Sequence, residues 1–138
     1  MAPTEREHGR RQASRTASSG AGLRHALIIE DDAIIALEIE HRLRDLGYDS
    51  FDVAVSPPEA LNCAMTCRPD LITADVRIVG GTGIDAIHAI VAVLGEVPFF
   101  YVTGNVDMLR EEADVLVVEK PVQPRAFAAA CARATTSH

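Results

Sequence analysis

Short apolar segments alternate with helical patterns along most of this chain, and each apolar segment ends in polar residues. Residues 26–29 are apolar throughout and are followed at once by three acids, as expected for a strand covered on both faces of a sheet. The next segment repeats apolar residues at a spacing of four, which is typical of a helix that buries one face. Further strands are predicted at residues 49–55, 69–75, 97–102 and 115–118.

Helix start and stop signals occupy the segments between the predicted strands. Ser56, two prolines and a glutamate form a capping box, and Pro124 can begin the last helix. Gly47 and Gly95 end the first and third predicted helices. Residues 106–113 leave room for only about two helical turns. Five strands alternating with helices, joined by connections long enough for right-handed crossovers, predict an α/β fold with a parallel, doubly wound sheet.

The length and composition predict one domain preceded by a tail. Residues 1–22 are rich in Ser, Thr, Arg, Ala and Gly and contain almost no large apolar side chains, so they are expected to be a disordered tail. Residues 23–138 are expected to form the domain. The four arginines of the tail could dock an acidic partner or belong to a presequence, but Glu5 and Glu7 argue against a presequence, and a solvated extension is favoured.

The charge of the predicted domain excludes one class of partner. The whole chain has a formal charge of −7, and residues 23–138 hold nine basic against eighteen acidic side chains. An acidic body repels phosphate backbones, so no nucleic-acid partner is expected. No apolar run approaches the ~18 residues of a membrane span, and no secretory signal is visible, so a cytoplasmic protein without membrane contact is predicted.

Chemically reactive residues follow the predicted strands at their carboxyl ends. The first strand is followed by Glu30 and Asp31, the third ends in Asp75, the fourth is followed by Thr103, and the fifth by Lys120. Because parallel strands all point the same way, residues that are far apart in the sequence converge at this edge of the sheet. Taken singly each is an ordinary loop acid, turn residue or surface cation, and only the set is chemically coherent.

The set favours phosphoryl chemistry assisted by a divalent cation. Clustered carboxylates repel one another unless a cation neutralises them, and hard oxygen ligands suit Mg²⁺. With the charge offset in this way, Asp75 could act as a nucleophile toward a phosphoryl group. Lys120 and the Thr103 hydroxyl could hold phosphoryl oxygens. Lys120 is also the only lysine of the chain, against twelve arginines.

These motifs resemble the receiver domains of two-component response regulators over residues 25–135. The resemblance implies a flavodoxin-like, CheY-like sheet of five parallel strands in the order 2-1-3-4-5. Four separate motifs carry it in the same order and with the same relative spacing, which makes it specific. They read Leu-Ile-Ile-Glu-Asp-Asp, Pro-Asp-Leu-Ile-Thr-Ala-Asp, Val-Thr-Gly and Glu-Lys-Pro.

The resemblance assigns a role to each residue of the site. It implies that Asp75 is the phosphorylated residue and that Thr103 and Lys120 contact the phosphoryl group. Asp32 falls one position past the acidic pair and is expected to cap the first helix. The Mg²⁺ ligands implied are the side chains of Glu30, Asp31 and Asp75 and the backbone carbonyl of Arg77.

The chain departs from the family pattern next to the site. Val117 stands three residues before the lysine, where the family usually has an aromatic, and Val79 replaces a usual proline. The segment between Thr103 and Lys120 is also shorter than usual, so a short or irregular fourth helix is expected. Without an aromatic at position 117, we expect Thr103 and Lys120 to reorder residues 104–112.

The resemblance predicts a regulator rather than an enzyme. The expected function is that of a single-domain response regulator, which takes a phosphoryl group from a histidine kinase or histidine phosphotransferase and signals by contact with a downstream protein. Residues 98–105 are similar to the Pro-Phe-x-Phe-Ala-Thr-Gly-Tyr motif of single-domain receivers of alphaproteobacteria, some tied to stress pathways, with Asn105 replacing the tyrosine.

Two other functions compete with that of a regulator. A binding module that keeps the fold without cycling phosphate is disfavoured because all five key positions are filled. An aspartyl-phosphate hydrolase is disfavoured because Arg77, not an acid, follows Asp75 by two residues.

Overall fold

The computed structural model describes residues 10–11 and 23–136 of the chain and contains a sheet in which five strands run parallel. Neighbouring strands pair in the order β2-β1-β3-β4-β5, so the predicted topology is confirmed. The strands are β1 (His25–Ile29), β2 (Ser50–Ala54), β3 (Leu71–Ala74), β4 (Phe99–Thr103) and β5 (Val117–Glu119).

Four α-helices connect or follow these strands. Between β4 and β5 there is only a 3₁₀ turn, Val106–Leu109, so the prediction of a short or irregular helix in this segment is confirmed. The remaining connections hold regular helices of ten to thirteen residues. They are α1 (Ala33–Asp45), α2 (Pro57–Thr66), α3 (Gly83–Leu94) and α4 (Pro124–Thr136).

The caps of the helices agree with the sequence signals. Asp32 accepts hydrogen bonds from the backbone N–H groups of Ile34 and Ile35, which confirms that it caps α1. Ser56 accepts from the N–H of Glu59 at the start of α2. Thr82 caps α3 in the same way. All three helices therefore begin at the carboxyl edge of the sheet.

Two apolar cores lie on opposite faces of the sheet. One core contains side chains of α1 and α4, with Leu43 and Phe127 fully buried. The other contains side chains of α2 and α3, with Ala60 and Ile87 among them. Because alternate residues of each strand enter different cores, Phe100 belongs to the first and Tyr101 to the second. The doubly wound arrangement is thus confirmed.

The polar residues of β2 alternate with apolar ones along the strand, yet they do not form an exposed face. Ser50 and Asp52 are fully buried, because both contact the buried imidazole of His25 on β1. Arg10–Arg11 pairs antiparallel to this strand. The rest of the predicted tail lies outside the described residues, and the division into residues 1–22 and 23–138 stays a prediction. In the described part of the chain, no helix is both long and apolar enough to span a bilayer.

Candidate functional site

Three carboxylates meet at the carboxyl edge of the sheet. One oxygen from each of Glu30, Asp31 and Asp75 lies within 4.8 Å of the others. Glu30 and Asp75 are buried, whereas Asp31 is exposed. Backbone hydrogen bonds continue the strand pairing past the strand ends, since the N–H of Glu30 donates to Ala54 and the N–H of Asp75 donates to Ile29, both at 2.9 Å. The sheet itself therefore fixes the two buried acids.

Lys120 neutralises part of the negative charge of these three carboxylates. Its Nζ donates to Asp75 Oδ2 at 2.9 Å and lies 3.1 Å from Glu30 Oε1. Its backbone N–H donates to the Thr103 carbonyl at 3.0 Å, so β4 and the end of β5 position it together. The predicted convergence of the first, third and fifth strand ends is therefore present as a direct ion-pair cluster.

Burial shifts the pKa values of the cluster. Desolvation is the largest influence on Glu30 and raises its pKa to about 7, despite the opposing hydrogen bond from Asp32 and the nearby Lys120. Burial alone would lower the pKa of Lys120, but its contacts with Asp75 and Glu30 outweigh this and raise the pKa above its ordinary value. The site thus holds a firmly charged lysine and a glutamate that gives up its proton only near neutral pH.

The donor atoms fit a hard divalent cation. Glu30 Oε1 is buried, and the Lys120 ammonium that it contacts at 3.1 Å is shared with Asp75. One ammonium does not offset the charge of three clustered carboxylates, so a further cation would be favoured there. The carboxylates of Glu30, Asp31 and Asp75 are ligands suited to Mg²⁺, and the exposed Asp31 leaves room for water.

Thr103 lies at the end of β4 but is turned toward its own loop. Its side chain is fully buried, and Oγ1 accepts a hydrogen bond from the N–H of Asn105 at 2.9 Å. Asp75 Oδ1 accepts from the N–H of Val76 at 2.7 Å. Among the hydrogen bonds of the described residues, none joins Thr103 to Asp75. The structure brings Glu30, Asp31, Asp75 and Lys120 together and leaves Thr103 beside them.

The segment after Asp75 forms a small hairpin. Arg77–Ile78 pairs antiparallel with Gly81–Thr82, and the Arg77 side chain is exposed. The side chain of Arg77 therefore points away from the buried part of the site. The assignment of its backbone carbonyl as a metal ligand stays a prediction.

Gly83 is a positioning residue that sequence reasoning missed. A Cβ atom at this position would lie 1.9 Å from the backbone oxygen of Asp75, so only glycine fits. The N–H of Gly83 also donates to the Val76 carbonyl at 2.8 Å. The start of α3 is thus pressed against the backbone of the central acid. The run of three glycines within four residues was the available signal, because glycine marks close backbone approach.

Comparisons with known proteins agree with this geometry. The profile of the response regulator receiver domain family matches residues 26–131. Among curated proteins, the phyllosphere-induced regulator PhyR of Methylorubrum extorquens is 31% identical over 113 residues, which cover 78% of this chain and 42% of that protein. The chain therefore spans less than half the length of this relative.

Two solved structures have similar folds. The receiver domain of the PhyR response regulator from Erythrobacter litoralis superposes with a TM-score of 0.76 at 27% identity, covering 86% of this chain and 94% of that one. The anti-anti-sigma factor PhyR from Bartonella quintana superposes with a TM-score of 0.70 at 25% identity, covering 84% of this chain and 51% of that one.

Proposed function

Because this chain belongs to the response regulator receiver domain family, we propose that Asp75 accepts a phosphoryl group from a phosphohistidine of a histidine kinase or histidine phosphotransferase. The observation that carries the proposal is the contact of 2.9 Å between Lys120 Nζ and a buried Asp75 carboxylate that shares its site with two further acids. Membership of the family makes the chain a regulator in two-component signalling, and the chemistry at Asp75 is the proposed step.

The proposed step is a displacement at phosphorus. A carboxylate oxygen of Asp75 forms the new P–O bond while the P–N bond to the donor histidine breaks, and the electron pair stays on the imidazole nitrogen, which then takes a proton. Lys120, which already contacts Asp75 Oδ2, moves its ammonium to an oxygen of the transferred group. The Lys120 ammonium therefore stays paired with a negatively charged oxygen before and after the transfer.

A divalent cation completes the proposal. The side chains of Glu30, Asp31 and Asp75 and the backbone carbonyl of Arg77 would hold Mg²⁺. When bound, the ion would offset the charge of the phosphoryl oxygens. Glu30 must be ionised to serve as a ligand, and its raised pKa of about 7 means that proton release accompanies binding below neutral pH.

Thr103 is the second phosphate-contacting residue in this proposal. Its Oγ1 accepts from Asn105 in the structure, which leaves its own O–H available to donate. A hydroxyl that donates to a phosphoryl oxygen while it accepts from the N–H of Asn105 would link that oxygen to the segment that follows β4. The chemistry at the sheet edge and the shape of residues 104–112 are coupled through this one hydroxyl.

Exposed apolar side chains beside the site support protein partners. Ile34 and Leu37 on the first turns of α1 are 77% and 58% exposed, and Val79 in the hairpin is 56% exposed. Apolar side chains next to an acidic cleft suit contact with a protein that carries the phosphohistidine. The Bartonella quintana relative is named an anti-anti-sigma factor, which supports a downstream protein target rather than a nucleic acid.

Phosphoryl labelling tests the proposal. The parent, Asp75→Asn and the surface control Asp107→Asn are incubated with Mg²⁺ and acetyl phosphate and weighed by intact-protein mass spectrometry. Asp107 is almost fully exposed, so its amide variant tests for a general effect of losing one surface acid. The parent and Asp107→Asn should gain one phosphoryl group, and Asp75→Asn should gain none.

The same experiment separates the competing functions. Equal labelling of all three proteins would sink the assignment of Asp75. A parent that gains no phosphoryl group under any Mg²⁺ concentration would favour a binding module. A parent that releases phosphate from an added aspartyl-phosphate substrate without itself retaining label would favour a hydrolase.

A further inference from the structure

The end of β2 contributes no reactive side chain to the site, but its backbone is bonded to two segments of it. The carbonyl of Ala54 accepts a hydrogen bond from the N–H of Glu30 at 2.9 Å. The carbonyl of the next residue, Val55, accepts from the N–H of Val79 at 3.0 Å, and Val79 lies in the turn of the hairpin that follows Asp75. Two successive carbonyls thus join the first acid of the site to the hairpin.

The connection between β2 and α2 is itself held by Glu59. The N–H of Val55 donates to Glu59 Oε1 at 2.9 Å, and the N–H of Glu59 donates to Ser56 Oγ at 3.4 Å. This is the reciprocal pattern of a capping box, except that the glutamate reaches the residue before the capping serine. The backbone of Val55 therefore connects α2 to the hairpin, through its N–H on one side and its carbonyl on the other.

The hairpin also packs against the first turn of α2. A Cβ atom at Gly81 would lie 2.9 Å from Cγ of Pro57, which is closer than ordinary van der Waals contact. Ile78 is buried in the same core as Ala60 of α2. The side chain of Val79, by contrast, is 56% exposed. What residue 79 contributes to the attachment of the hairpin is therefore its backbone N–H.

The turn of the hairpin does not itself need this N–H. Ile78 pairs with Gly81, so Val79 and Gly80 are the two turn residues, and of these only Gly80 has a positive φ, at +72°. A positive φ at the second position is typical of a type II turn, which favours proline at the first. Proline is also usual here in the family, and it has no N–H to donate. Valine at this position therefore adds a hydrogen bond that proline could not make.

We propose that Val55 and Glu59 form a clamp that positions the hairpin for metal binding. This inference rests on the proposed function, in which the backbone carbonyl of Arg77 completes the Mg²⁺ site. Arg77 begins the hairpin and lies two residues before the N–H that the clamp holds. A ligand that is already in place costs less to order when the ion binds, so a hairpin fixed beforehand raises the affinity for Mg²⁺.

The clamp is the anchor at the tip of the hairpin. The base has an anchor of its own at Gly83, whose N–H donates to the Val76 carbonyl at 2.8 Å and whose backbone lies against that of Asp75. Without the hydrogen bond from Val79, the tip would be held by packing alone. The expected result is a looser hairpin on an intact base rather than a loss of the fold.

A titration with Mg²⁺ alone tests the clamp. Val79→Pro removes the N–H, and Val79→Ala is its matched control because it keeps the N–H and removes the exposed side chain. Nuclear magnetic resonance follows the backbone amide signals of Glu30 and Asp75 in the parent and both variants as Mg²⁺ is added. Val79→Pro should bind Mg²⁺ about tenfold more weakly than the parent, as is typical when a group that orients a metal ligand is lost. Val79→Ala should bind it like the parent.

Glu59 supplies a second pair of variants. Glu59→Ala removes the acceptor of the Val55 N–H, whereas Glu59→Gln keeps an oxygen in its place. Glu59→Ala should weaken Mg²⁺ binding, and Glu59→Gln should retain most of the affinity. In the metal-free protein, the Val55 amide should exchange with deuterium faster in Glu59→Ala than in Glu59→Gln. This pair tests the clamp even if Val79→Pro does not fold.

Stability separates positioning of the hairpin from a general role in the fold. The urea midpoints of metal-free Val79→Pro and Val79→Ala should lie close together, because proline restricts the unfolded chain and so offsets the lost hydrogen bond. A midpoint of Val79→Pro far below that of Val79→Ala would show that the hydrogen bond serves the whole fold, and would overturn the proposal.

The outcomes for the clamp and for the proposed function can be told apart. Equal Mg²⁺ affinities of folded Val79→Pro and Val79→Ala would overturn the clamp, while labelling of the parent at Asp75 would leave the proposed function intact. A parent that binds Mg²⁺, with the expected loss in Val79→Pro, but accepts no label from acetyl phosphate would support the clamp and overturn the phosphoacceptor role. A parent that binds no Mg²⁺ would overturn both the clamp and the proposed metal site.

Discussion

At the amino end of the sheet, His25 lies between Ser50 and Asp52, whereas at the carboxyl end Lys120 lies between Asp75 and Glu30. Both clusters are built from buried charged or polar side chains on neighbouring strands. Both ring nitrogens of His25 have partners, at 2.8 Å from Ser50 Oγ and 3.0 Å from Asp52 Oδ2. At the other end, one ammonium is shared between two buried carboxylates, a third carboxylate lies beside them, and the pKa of Glu30 is raised.

The contrast separates a structural network from a site built for a ligand. Protein partners engage the imidazole at the amino end, so that cluster ties β1 to β2 and should serve stability. The carboxyl end keeps an excess of negative charge that a divalent cation would offset. Substitutions at the two ends should therefore affect different properties.

The largest loss of stability is expected at Gly83, which packs directly against the backbone of Asp75. Gly83→Ala should cost about 4 kcal/mol or abolish folding, because the new Cβ meets the Asp75 carbonyl oxygen. Urea denaturation measures the loss. Gly104→Ala is the matched control, since a Cβ there contacts nothing within 4 Å, and it should cost no more than about 1 kcal/mol. Equal costs at the two positions would show that the carboxyl edge is not held by this contact.

Removing the imidazole at the amino end should affect stability alone. His25→Leu should cost about 3 kcal/mol, because Asp52 and Ser50 would lose a buried partner. Asp75→Asn should cost far less, since Lys120 keeps Glu30 nearby. Denaturation and acetyl phosphate labelling are measured on both variants. His25→Leu should still accept label at temperatures where it is folded, and a folded variant without labelling would break the separation of the two ends.

The pH dependence of stability should report on Glu30. Its pKa is about 7 in the folded protein against 4.5 for a free side chain, so the folded state holds the proton more tightly. Stability from this group is therefore fully present below about pH 4.5 and is lost as the pH rises through 7, by up to about 3 kcal/mol. Denaturation in chelator between pH 4.5 and 8 measures the loss. Glu30→Gln should flatten the dependence of stability on pH in this range. An unchanged slope would contradict the assignment of this dependence to Glu30.

The smallest effect should distinguish the second and third acids of the Glu-Asp-Asp run. Asp32 caps α1 with two hydrogen bonds, so Asp32→Ala should cost about 1 kcal/mol and leave Mg²⁺-dependent labelling intact. Asp31→Ala should leave stability nearly unchanged and raise the Mg²⁺ concentration needed for labelling. Denaturation and a Mg²⁺ titration of labelling are compared for the pair. A reversed pattern would exchange the roles of the two residues.

The fold could be predicted because local patterns and global topology agree. The apolar runs at residues 26–29 and 97–102 lie in buried strands, and the capping signals at Asp32 and Ser56 begin helices. The contact between Asp75 and Lys120 could also be predicted, because parallel strands bring their carboxyl ends to the same edge of the sheet.

The parts that could not be predicted depend on contacts between distant residues. Ser50 and Asp52 alternate with apolar residues, a pattern typical of a strand with one polar face, but both are buried in contact with His25. The close approach of Gly83 to Asp75 and the hydrogen bond from Val79 to Val55 are likewise properties of packing rather than of pattern. The phosphoacceptor and metal-ligand roles of the site residues stay predictions for the labelling experiments.

The uniqueness of Lys120 has a practical consequence for following this protein in solution. Since no other side chain of the 138 residues carries a primary amine, an amine-directed acylating reagent modifies either this residue or the chain terminus. The two carboxylates that hold Nζ keep it protonated and unreactive, and any event that draws it away from them changes its rate of acylation. The chain therefore supplies its own amine-bearing side chain as a chemical probe at the centre of the sheet edge, without an engineered label.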